Sequence, residues 1–156
     1  MTLWTILLIP VAAAATFMAG MRYKWPFVLD AVRRLNRRFL NPRQMRTAGS
    51  PGAYAGIILH TGRSSGREYE TPVGIVPIDD SFVIVLPYGT RPDWVKNVLA
   101  AGTATLTHEG SVHAVERPEI VPTADILDGL DPSDRRAHDW FNVQQSLRLH
   151  PVTVRS

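Results

Sequence analysis

From residue 53 onward the sequence is a succession of short β-branched runs separated by turn residues, and this pattern constrains the fold more than any other feature. Asp79-Asp80-Ser81 and Glu109-Gly110-Ser111 have the composition of hairpin turns. Short strands joined by such turns pair antiparallel, and five or six of them predict a small barrel. The predicted strands are residues 55–60, 69–76, 82–86, 103–108 and 112–121.

Two helices and a last strand complete this region. One helix begins at Pro92, carries apolar residues at helical spacing and ends before Gly102. The second covers residues 133–145, and residues 147–154 are a candidate closing strand, since a sheet edge tolerates the proline that they contain. The prediction is a mainly β fold with helices, in the α+β class.

The composition limits the chemistry that this chain can perform. With 156 residues, 45% of them hydrophobic and 20% charged, the chain suits one folded domain with an appendage. There is no cysteine, which excludes disulfides and thiolate sites. The five histidines lack metal-ligand spacing, and neither a G-x-G-x-x-G nor a Walker loop is present. We therefore predict no metal site and no ordinary nucleotide fold.

The positive charge is confined to one segment. The formal net charge is +3, but residues 22–46 hold eight basic residues and one acidic residue, a local +7. Residues 47–156 hold nine basic and thirteen acidic residues, a local −4. A nucleic-acid partner is not predicted, because the basic residues belong to the N-terminal segment alone.

The N-terminal segment is predicted to be directed to a membrane. Residues 2–21 are uncharged and largely apolar, which is about the length that crosses a bilayer as a helix. The basic residues that follow predict that the downstream domain lies on the cytoplasmic face. Both a segment that spans the bilayer and one that docks on it fit this composition.

Residues 27–40 have the pattern of an amphipathic helix that ends at Asn41-Pro42. Apolar residues stand at 28, 32, 35 and 39, beside four arginines. Two interpretations are open: the helix lies on anionic headgroups with Trp25 and Phe27 at the interface, or its apolar stripe packs on the barrel. The predicted organisation is a hydrophobic segment, a basic helix and a barrel domain, at residues 1–21, 22–46 and 47–156.

The hairpin connection Thr61-Gly-Arg-Ser-Ser-Gly-Arg67 has the composition of an anion-binding turn. Gly62 and Gly66 can adopt positive φ, and successive backbone N–H groups in such turns form a concave nest. Arg63, Arg67 and two serine hydroxyls add donors that suit a phosphate or a carboxylate. The competing interpretation is an ordinary hairpin tip.

Four motifs in this order make the chain similar to the deazaflavin-dependent nitroreductase family. They are Leu59-His-Thr-Gly-Arg-Ser-Ser-Gly-Arg67, Tyr69-Glu-Thr-Pro-Val-Gly74, Tyr88-Gly89 and Asp93-Trp-Val-Lys-Asn97. The resemblance spans about residues 40–121. It implies a split β-barrel of the FMN-binding type and an oxidoreductase that uses coenzyme F420. It also implies hydride transfer to a quinone, a nitroaromatic or an activated enone.

The resemblance implies three groups of cofactor-binding residues and two weaker substrate contacts. The turn is expected to hold the phosphate and the oligoglutamate tail, the second predicted strand to lie under the ring, and the segment after the third predicted strand to form the opposite wall. The residues expected to bind the cofactor are Arg63, Ser64, Ser65, Gly66 and Arg67, then Thr71, Pro72 and Val73, and finally Tyr88, Gly89, Asp93, Trp94, Val95 and Asn97, with Trp140 and Phe141 as candidate substrate contacts.

One departure from the family pattern keeps two alternatives open. The family often has a lysine where this chain has Ser64. The same barrel is able to hold FMN through one phosphate, or to be a non-catalytic, membrane-tethered binding module. An anchored chain makes a lipid-soluble quinone the expected acceptor. No particular side chain is expected to act as a catalytic nucleophile, because the cofactor carries the hydride chemistry.

Overall fold

The computed structural model describes residues 3–152, with side chains from residue 10 onward apart from residue 137. Seven strands lie in this range, and they form one antiparallel sheet in the order β2-β1-β5-β6-β7-β4-β3. The strands are β1 (Gly56–Thr61), β2 (Glu68–Val73), β3 (Val76–Ile78), β4 (Ser81–Val85), β5 (Thr103–His108), β6 (Ser111–Pro122) and β7 (Gln145–Pro151).

The two edge strands show how the sheet is curved. β2 and β3 lie at opposite ends of the strand order, yet only Gly74 and Ile75 separate them in sequence. Because two residues reach only about 7 Å, the sheet must curl until its two edges nearly meet. The predicted mainly β, barrel-like architecture is therefore confirmed, and the barrel is split between β2 and β3.

The tight turns form for local reasons. Glu109 and Gly110 connect β5 to β6 with φ of 49° and 75°, and the residues on either side are paired in register. Positive φ at both central positions matches the right-handed twist of a hairpin. Asp79-Asp80 makes the same two-residue connection between β3 and β4. Both predicted hairpin turns are confirmed.

The apolar face of the curved sheet holds the main core. Ile58 of β1, Leu106 of β5 and Leu147 of β7 are fully buried and meet the helix α4 (Asp93–Ala101) through Val95 and Val98. Each fully buried aliphatic side chain contributes about 1.5–3 kcal/mol relative to an exposed one. This core fixes α4 against the sheet and so fixes the position of its N-terminus.

The remaining helices flank the barrel. A 3₁₀-helix covers Thr123–Gly129 and α5 covers Pro132–Phe141, while the N-terminal part contains α1 (Leu3–Arg22) and α2 (Pro26–Leu35). A small cluster of Met21, Val28 and Leu29 packs with Tyr88 and Phe141. The end of α1 and the start of α2 are therefore attached to the barrel next to α5.

Several predicted boundaries were wrong. The strand predicted over residues 69–76 is two strands, because Gly74 and Ile75 carry the chain from one sheet edge to the other. The helix predicted over 133–145 ends at Phe141, where Asn142 adopts a left-handed conformation. The closing strand begins at Gln145, and the part of its predicted range from residue 153 on lies outside the described residues.

Asn41-Pro42 does not stop the basic helix. A five-residue π-helical turn (Asn36–Leu40) follows α2, and α3 (Asn41–Gln44) continues after it. Pro42 occupies the first turn of α3, where a proline without an N–H costs no helical hydrogen bond. The π turn changes the helical register and thereby accommodates the proline.

The apolar stripe of this basic helix packs on the rest of the protein in its first part only, and its contact with headgroups stays a prediction. Val28 and Leu29 are buried and Val32 packs against them, whereas Leu35 and Phe39 are about half exposed. The predicted membrane-directed segment, residues 2–21, lies partly outside the residues with described side chains. Where side chains are described, no helix combines the length and the apolarity that a bilayer span requires.

Candidate functional site

The loop between β1 and β2 is a closed, hydrogen-bonded turn. Gly62 N–H donates to the Arg67 carbonyl at 2.7 Å, and Gly66 N–H donates to the Gly62 carbonyl at 2.8 Å. Gly66 has a φ of +66°, and a Cβ there would meet no atom within 4 Å. Ser64, Ser65 and Arg67 are exposed around it. The turn therefore presents glycine backbone, two hydroxyls and a cation to solvent, as predicted.

Arg63 fastens this turn to α4. Its Nη2 donates to the Asp93 carboxylate at 3.0 Å, and its Nη1 donates to Asn97 Oδ1 at 2.8 Å. The Arg63 backbone N–H also donates to Asn97 Oδ1, at 3.2 Å. The guanidinium predicted to bind an anion thus contacts protein groups, and its direct effect is to hold the turn beside the helix start.

The start of α4 adds its own donors. Pro92 precedes the helix and no side chain caps it. The backbone N–H groups of Asp93, Trp94 and Val95 have no intrahelical acceptor, because they belong to the first helical turn. The side chain of Val95 is fully buried and Trp94 packs on the core. These two residues are available to a ligand mainly through their backbone.

Positive charge surrounds this helix start. The hydrogen bond from Arg63 lowers the pKa of the Asp93 carboxyl, and the nearby charges of Arg63, Lys96 and Arg37 lower it further. Arg37 comes from the π turn of the basic helix, a segment that sequence analysis assigned to headgroups or to the barrel surface. Three cations therefore lie near the Asp93 carboxylate, and one of them, Arg63, contacts it.

A buried polar chain runs from Arg63 under β2. Asn97 and His60 are each only 5% exposed. Asn97 Nδ2 lies 3.3 Å from His60 Nδ1, and His60 Nε2 lies 3.2 Å from the Thr71 hydroxyl. Burial lowers the pKa of His60 from its usual 6.5. Asn97 connects the turn to β2 through His60, and its predicted place in a wall of the site stays a prediction.

The three candidate residues of β2 differ in accessibility. Thr71 pairs with buried Ile58 and lies on the same face of the sheet. Pro72 lies on the opposite face, because side chains alternate along a strand. Val73 is buried in the core. Thr71 and Pro72 are half-buried, so they have surface to offer to a ligand.

A cavity of about 300 Å³ lies beside the segment that connects β4 to α4. Arg91 lines it, and Asp93, two residues further on, pairs with Arg63. The segment that lines the cavity thus leads directly into the helix start to which the turn is joined. Its lining residues are Lys24, Leu29, Leu86, Tyr88, Gly89, Thr90, Arg91, Gln144 and Gln145.

The N-terminal segment supplies one wall of this cavity. Lys24 Nζ donates to the carbonyls of Pro87 and Phe141, at 2.9 and 3.0 Å. Burial lowers the pKa of the Lys24 ammonium. Asn36 Nδ2 donates to the Tyr88 hydroxyl at 2.7 Å, and burial raises the pKa of that phenol.

The two candidate substrate residues are placed differently. Trp140 is 62% exposed, whereas Phe141 packs against the cluster formed by Met21, Val28 and Leu29. Their contact with a substrate stays a prediction. The carbonyl of Phe141, not its ring, holds Lys24 at the cavity.

Sequence reasoning missed His60, Lys24 and Asn36. A signal existed for His60: it follows Ile58 by two residues on one strand, so both side chains share the buried face. Lys24 and Asn36 gave no such signal, because their partners lie 63 and 52 residues away.

The model of the F420H(2)-dependent quinone reductase family matches residues 35–127, more than half of the chain. The chain belongs to this family. The protein is accordingly an oxidoreductase with coenzyme F420 as its cofactor, which confirms the resemblance to the deazaflavin-dependent reductases. A search of curated proteins finds no match.

Solved structures resemble this F420H(2)-dependent reductase only distantly. A domain-swapped dimer is 15% identical, with 78% of this chain and 98% of that chain covered and a TM-score of 0.47. An F420-H2 dependent reductase is 16% identical, with 62% and 94% covered and a TM-score of 0.40. An F420 reductase is 12% identical, with 69% and 92% covered and a TM-score of 0.43.

The residues present fit the coenzyme. Coenzyme F420 combines a flat deazaflavin ring with a phosphate and an oligoglutamate tail. The open Gly66 backbone, exposed Arg67 and the cations near Asp93 suit the anionic part. The cavity beside Tyr88, with Leu29 and Leu86 as apolar walls, suits planar reactants.

Proposed function

We propose that residues 62–67 and the start of α4 bind the phosphate and tail of coenzyme F420, and that the protein reduces a quinone in the adjacent cavity. The observation that carries this proposal is the Arg63 bridge to Asp93 and Asn97. It brings the donors of the turn and the free N–H groups of α4 to one place. Converging backbone donors and cations favour anionic oxygens.

The cavity has the features of an acceptor site. Leu29 and Leu86 give it apolar surface, while Lys24, Gln144 and Gln145 bring hydrogen-bond donors. A quinone needs the same combination: apolar contact for its ring and donors for its carbonyl oxygens. Lys24 donates two of its three N–H groups to the Pro87 and Phe141 carbonyls. Its third N–H is available for an acceptor oxygen.

The residues of this chain have a supporting part in the chemistry. The reduced deazaflavin supplies the hydride when it is bound. The turn and α4 hold the anionic end in place, and the apolar cavity wall excludes water from the acceptor. The Lys24 ammonium lines the cavity and would stabilise negative charge that develops on an acceptor oxygen bound there, as preorganised donors do.

We also infer that the N-terminal segment docks the protein on the cytoplasmic surface of a membrane. Along α1, Val11 and Phe17 are 63% and 43% exposed. Trp25 and Phe27 stack on each other with their centroids 5.6 Å apart, and Phe27 is 64% exposed. Exposed arginines follow on the basic helix. This combination is typical of interfacial segments, and it would place the cavity near membrane quinones.

Titration of the full-length protein with oxidised coenzyme F420, followed by fluorescence, tests the cofactor site. We expect saturable binding that weakens with salt, and no comparable binding of FMN. Steady-state reduction of menaquinone by the reduced coenzyme then tests the acceptor. Binding of the coenzyme without turnover of any quinone, while a nitroaromatic or an enone is reduced, would reassign the acceptor and leave the cofactor site standing.

A further inference from the structure

We propose that His60 is a positioning residue that fixes the direction of the Thr71 hydroxyl, so that this hydroxyl donates its hydrogen to the bound cofactor. The inference rests on the proposed function for the identity of the ligand. A chain of hydrogen bonds begins at Arg63 and passes through Asn97 to His60 and Thr71. The inference follows from which atom donates and which accepts in each of these bonds. Each step leaves one choice for the position of the next hydrogen.

The first step fixes the amide of Asn97. Its Oδ1 receives two contacts from Arg63, one from the backbone N–H at 3.2 Å and one from Nη1 at 2.8 Å. Both groups of Arg63 are donors under all conditions. The atom that they contact must be the amide oxygen, so the amide nitrogen of Asn97 points to His60.

The second step fixes the tautomer of His60. Asn97 Nδ2 is only a donor, so His60 Nδ1 must accept its hydrogen at 3.3 Å. A ring nitrogen that accepts carries no hydrogen. The neutral imidazole therefore has its hydrogen on Nε2, and burial of the ring agrees with this neutral form.

The third step fixes the hydroxyl of Thr71. His60 Nε2–H donates to Thr71 Oγ1 at 3.2 Å, so the oxygen acts as the acceptor in that contact. The hydroxyl hydrogen must then point to a different atom. Among the described residues no acceptor for it is found. Thr71 is half-buried on the edge strand β2, so part of its surface is open to a ligand.

The ligand atom that fits is an acceptor without a hydrogen of its own, such as a ring carbonyl oxygen of the deazaflavin. A hydroxyl held in one direction loses little entropy when it binds, which improves affinity and orientation. The stacking of His60 on Tyr69, with centroids 5.9 Å apart, keeps the imidazole plane in place. His60 thus acts on the cofactor through Thr71 and not by contact.

Nitrogen-15 NMR of the full-length protein near neutral pH tests, without any cofactor, which ring nitrogen of His60 carries the hydrogen. We expect a neutral His60 with hydrogen on Nε2, assigned by the loss of its signals in His60→Phe. Asn97→Asp exchanges the donor for an acceptor, so the hydrogen should move to Nδ1 or the ring should become charged. A wild-type ring with hydrogen on Nδ1 would overturn the inference.

Cofactor binding tests the consequence. Thr71→Val should weaken the binding of oxidised coenzyme F420 about five- to tenfold, the loss of one hydrogen bond, while Thr71→Ser retains affinity. His60→Phe should cost the same factor, and the double variant should cost no more than either single one. Multiplicative losses would show that His60 acts independently of Thr71. Absence of wild-type binding would overturn the proposed function together with the role of Thr71.

Discussion

Arg63 and Asp93 form an ion pair at 3.0 Å that joins the β1–β2 turn to the N-terminus of α4. Both side chains are substantially exposed, so the pair itself adds at most about 1 kcal/mol to stability. Its value is geometric, because it holds two groups of anion-binding donors side by side. Function and stability should therefore respond differently when it is removed.

Arg63→Ala should weaken the binding of coenzyme F420 by about 1.5–3 kcal/mol, because the charged hydrogen bonds that hold the turn beside the start of α4 are lost and the two groups of donors no longer converge on the anion. The unfolding midpoint should change little. Fluorescence titration and thermal unfolding of the same samples measure both effects. Arg117→Ala, at an exposed arginine on β6 that pairs with Glu116, is the matched control. Unchanged affinity in Arg63→Ala would remove the turn from the site.

Lys24→Met should lower the free energy of unfolding by about 1–3 kcal/mol, because it leaves the carbonyls of Pro87 and Phe141 without their donor. Methionine keeps the length and the apolar stem of the side chain. Urea unfolding measures the loss, with Arg136→Met on the exposed side of α5 as the control. If the acceptor site is correctly placed, KM for the quinone also rises. A stable variant would mean that Lys24 does not attach the N-terminal segment.

The sequence was sufficient wherever the determinants of structure are local. The turn from Thr61 to Arg67 and the Glu109-Gly110 hairpin follow from their own residues, and the structure has both. The helix predicted after Pro92 also forms, since its apolar spacing and Gly102 lie within one segment. The break between β2 and β3 was missed, because it depends on how the whole sheet curls.

The site was predicted less completely than the fold. Arg63 was recognised as part of the turn, but its contact with Asn97 depends on the docking of α4, which no local pattern encodes. Lys24 and Asn36 belong to a segment whose charge suggested headgroups, yet they contact Pro87 and Tyr88. Contacts between segments far apart in sequence could not be predicted, because they depend on how those segments dock and not on local patterns.

Acidification should destabilise the protein through His60. Its folded pKa is lowered by burial, so the unfolded chain binds the proton more readily below pH 6.5. The contribution of neutral His60 to the free energy of unfolding is complete above pH 6.5 and is lost as the pH falls through the folded pKa. At pH 5.5 this loss is at most about 1.4 kcal/mol. The groups around the ring are Asn97, Thr71 and Tyr69, with the Arg63–Asp93 pair beyond Asn97. Urea unfolding at pH 7.5 and 5.5 should show this loss in the wild type, and His60→Phe should lack it. Equal losses in both proteins would assign the effect to other groups.

Gly56→Ala should be destabilising, whereas Gly74→Ala should be tolerated. A Cβ on Gly56 would lie 2.7 Å from the Thr107 carbonyl and would overlap the Ile75 side chain. Gly74 has no atom within 4 Å of that position and no positive φ. We expect a loss of about 1–3 kcal/mol for the first variant, by overpacking, and less than about 0.5 kcal/mol for the second. Denaturant unfolding compares the two. A tolerated Gly56→Ala would contradict the close packing of β1, β5 and the β2–β3 connection.

Phe27→Asp should weaken the binding of the full-length protein to vesicles that contain anionic phospholipid. Phe27 is 64% exposed, and its burial in an interface is worth about 1.5–3 kcal/mol, so a loss of at least about tenfold in affinity is expected. The substitution should leave the fold intact, because Phe27 lies in the first turn of α2, where the helix dipole stabilises a carboxylate. Val112→Asp changes a residue that is similarly exposed, at 69%, on β6, and this variant should bind vesicles like the wild type.

Cosedimentation at two salt concentrations would separate the arginine contribution to vesicle binding, which salt screens, from the aromatic contribution, which salt does not screen. Equal binding of the Phe27→Asp variant and the wild type would show that the protein docks through another surface or not at all.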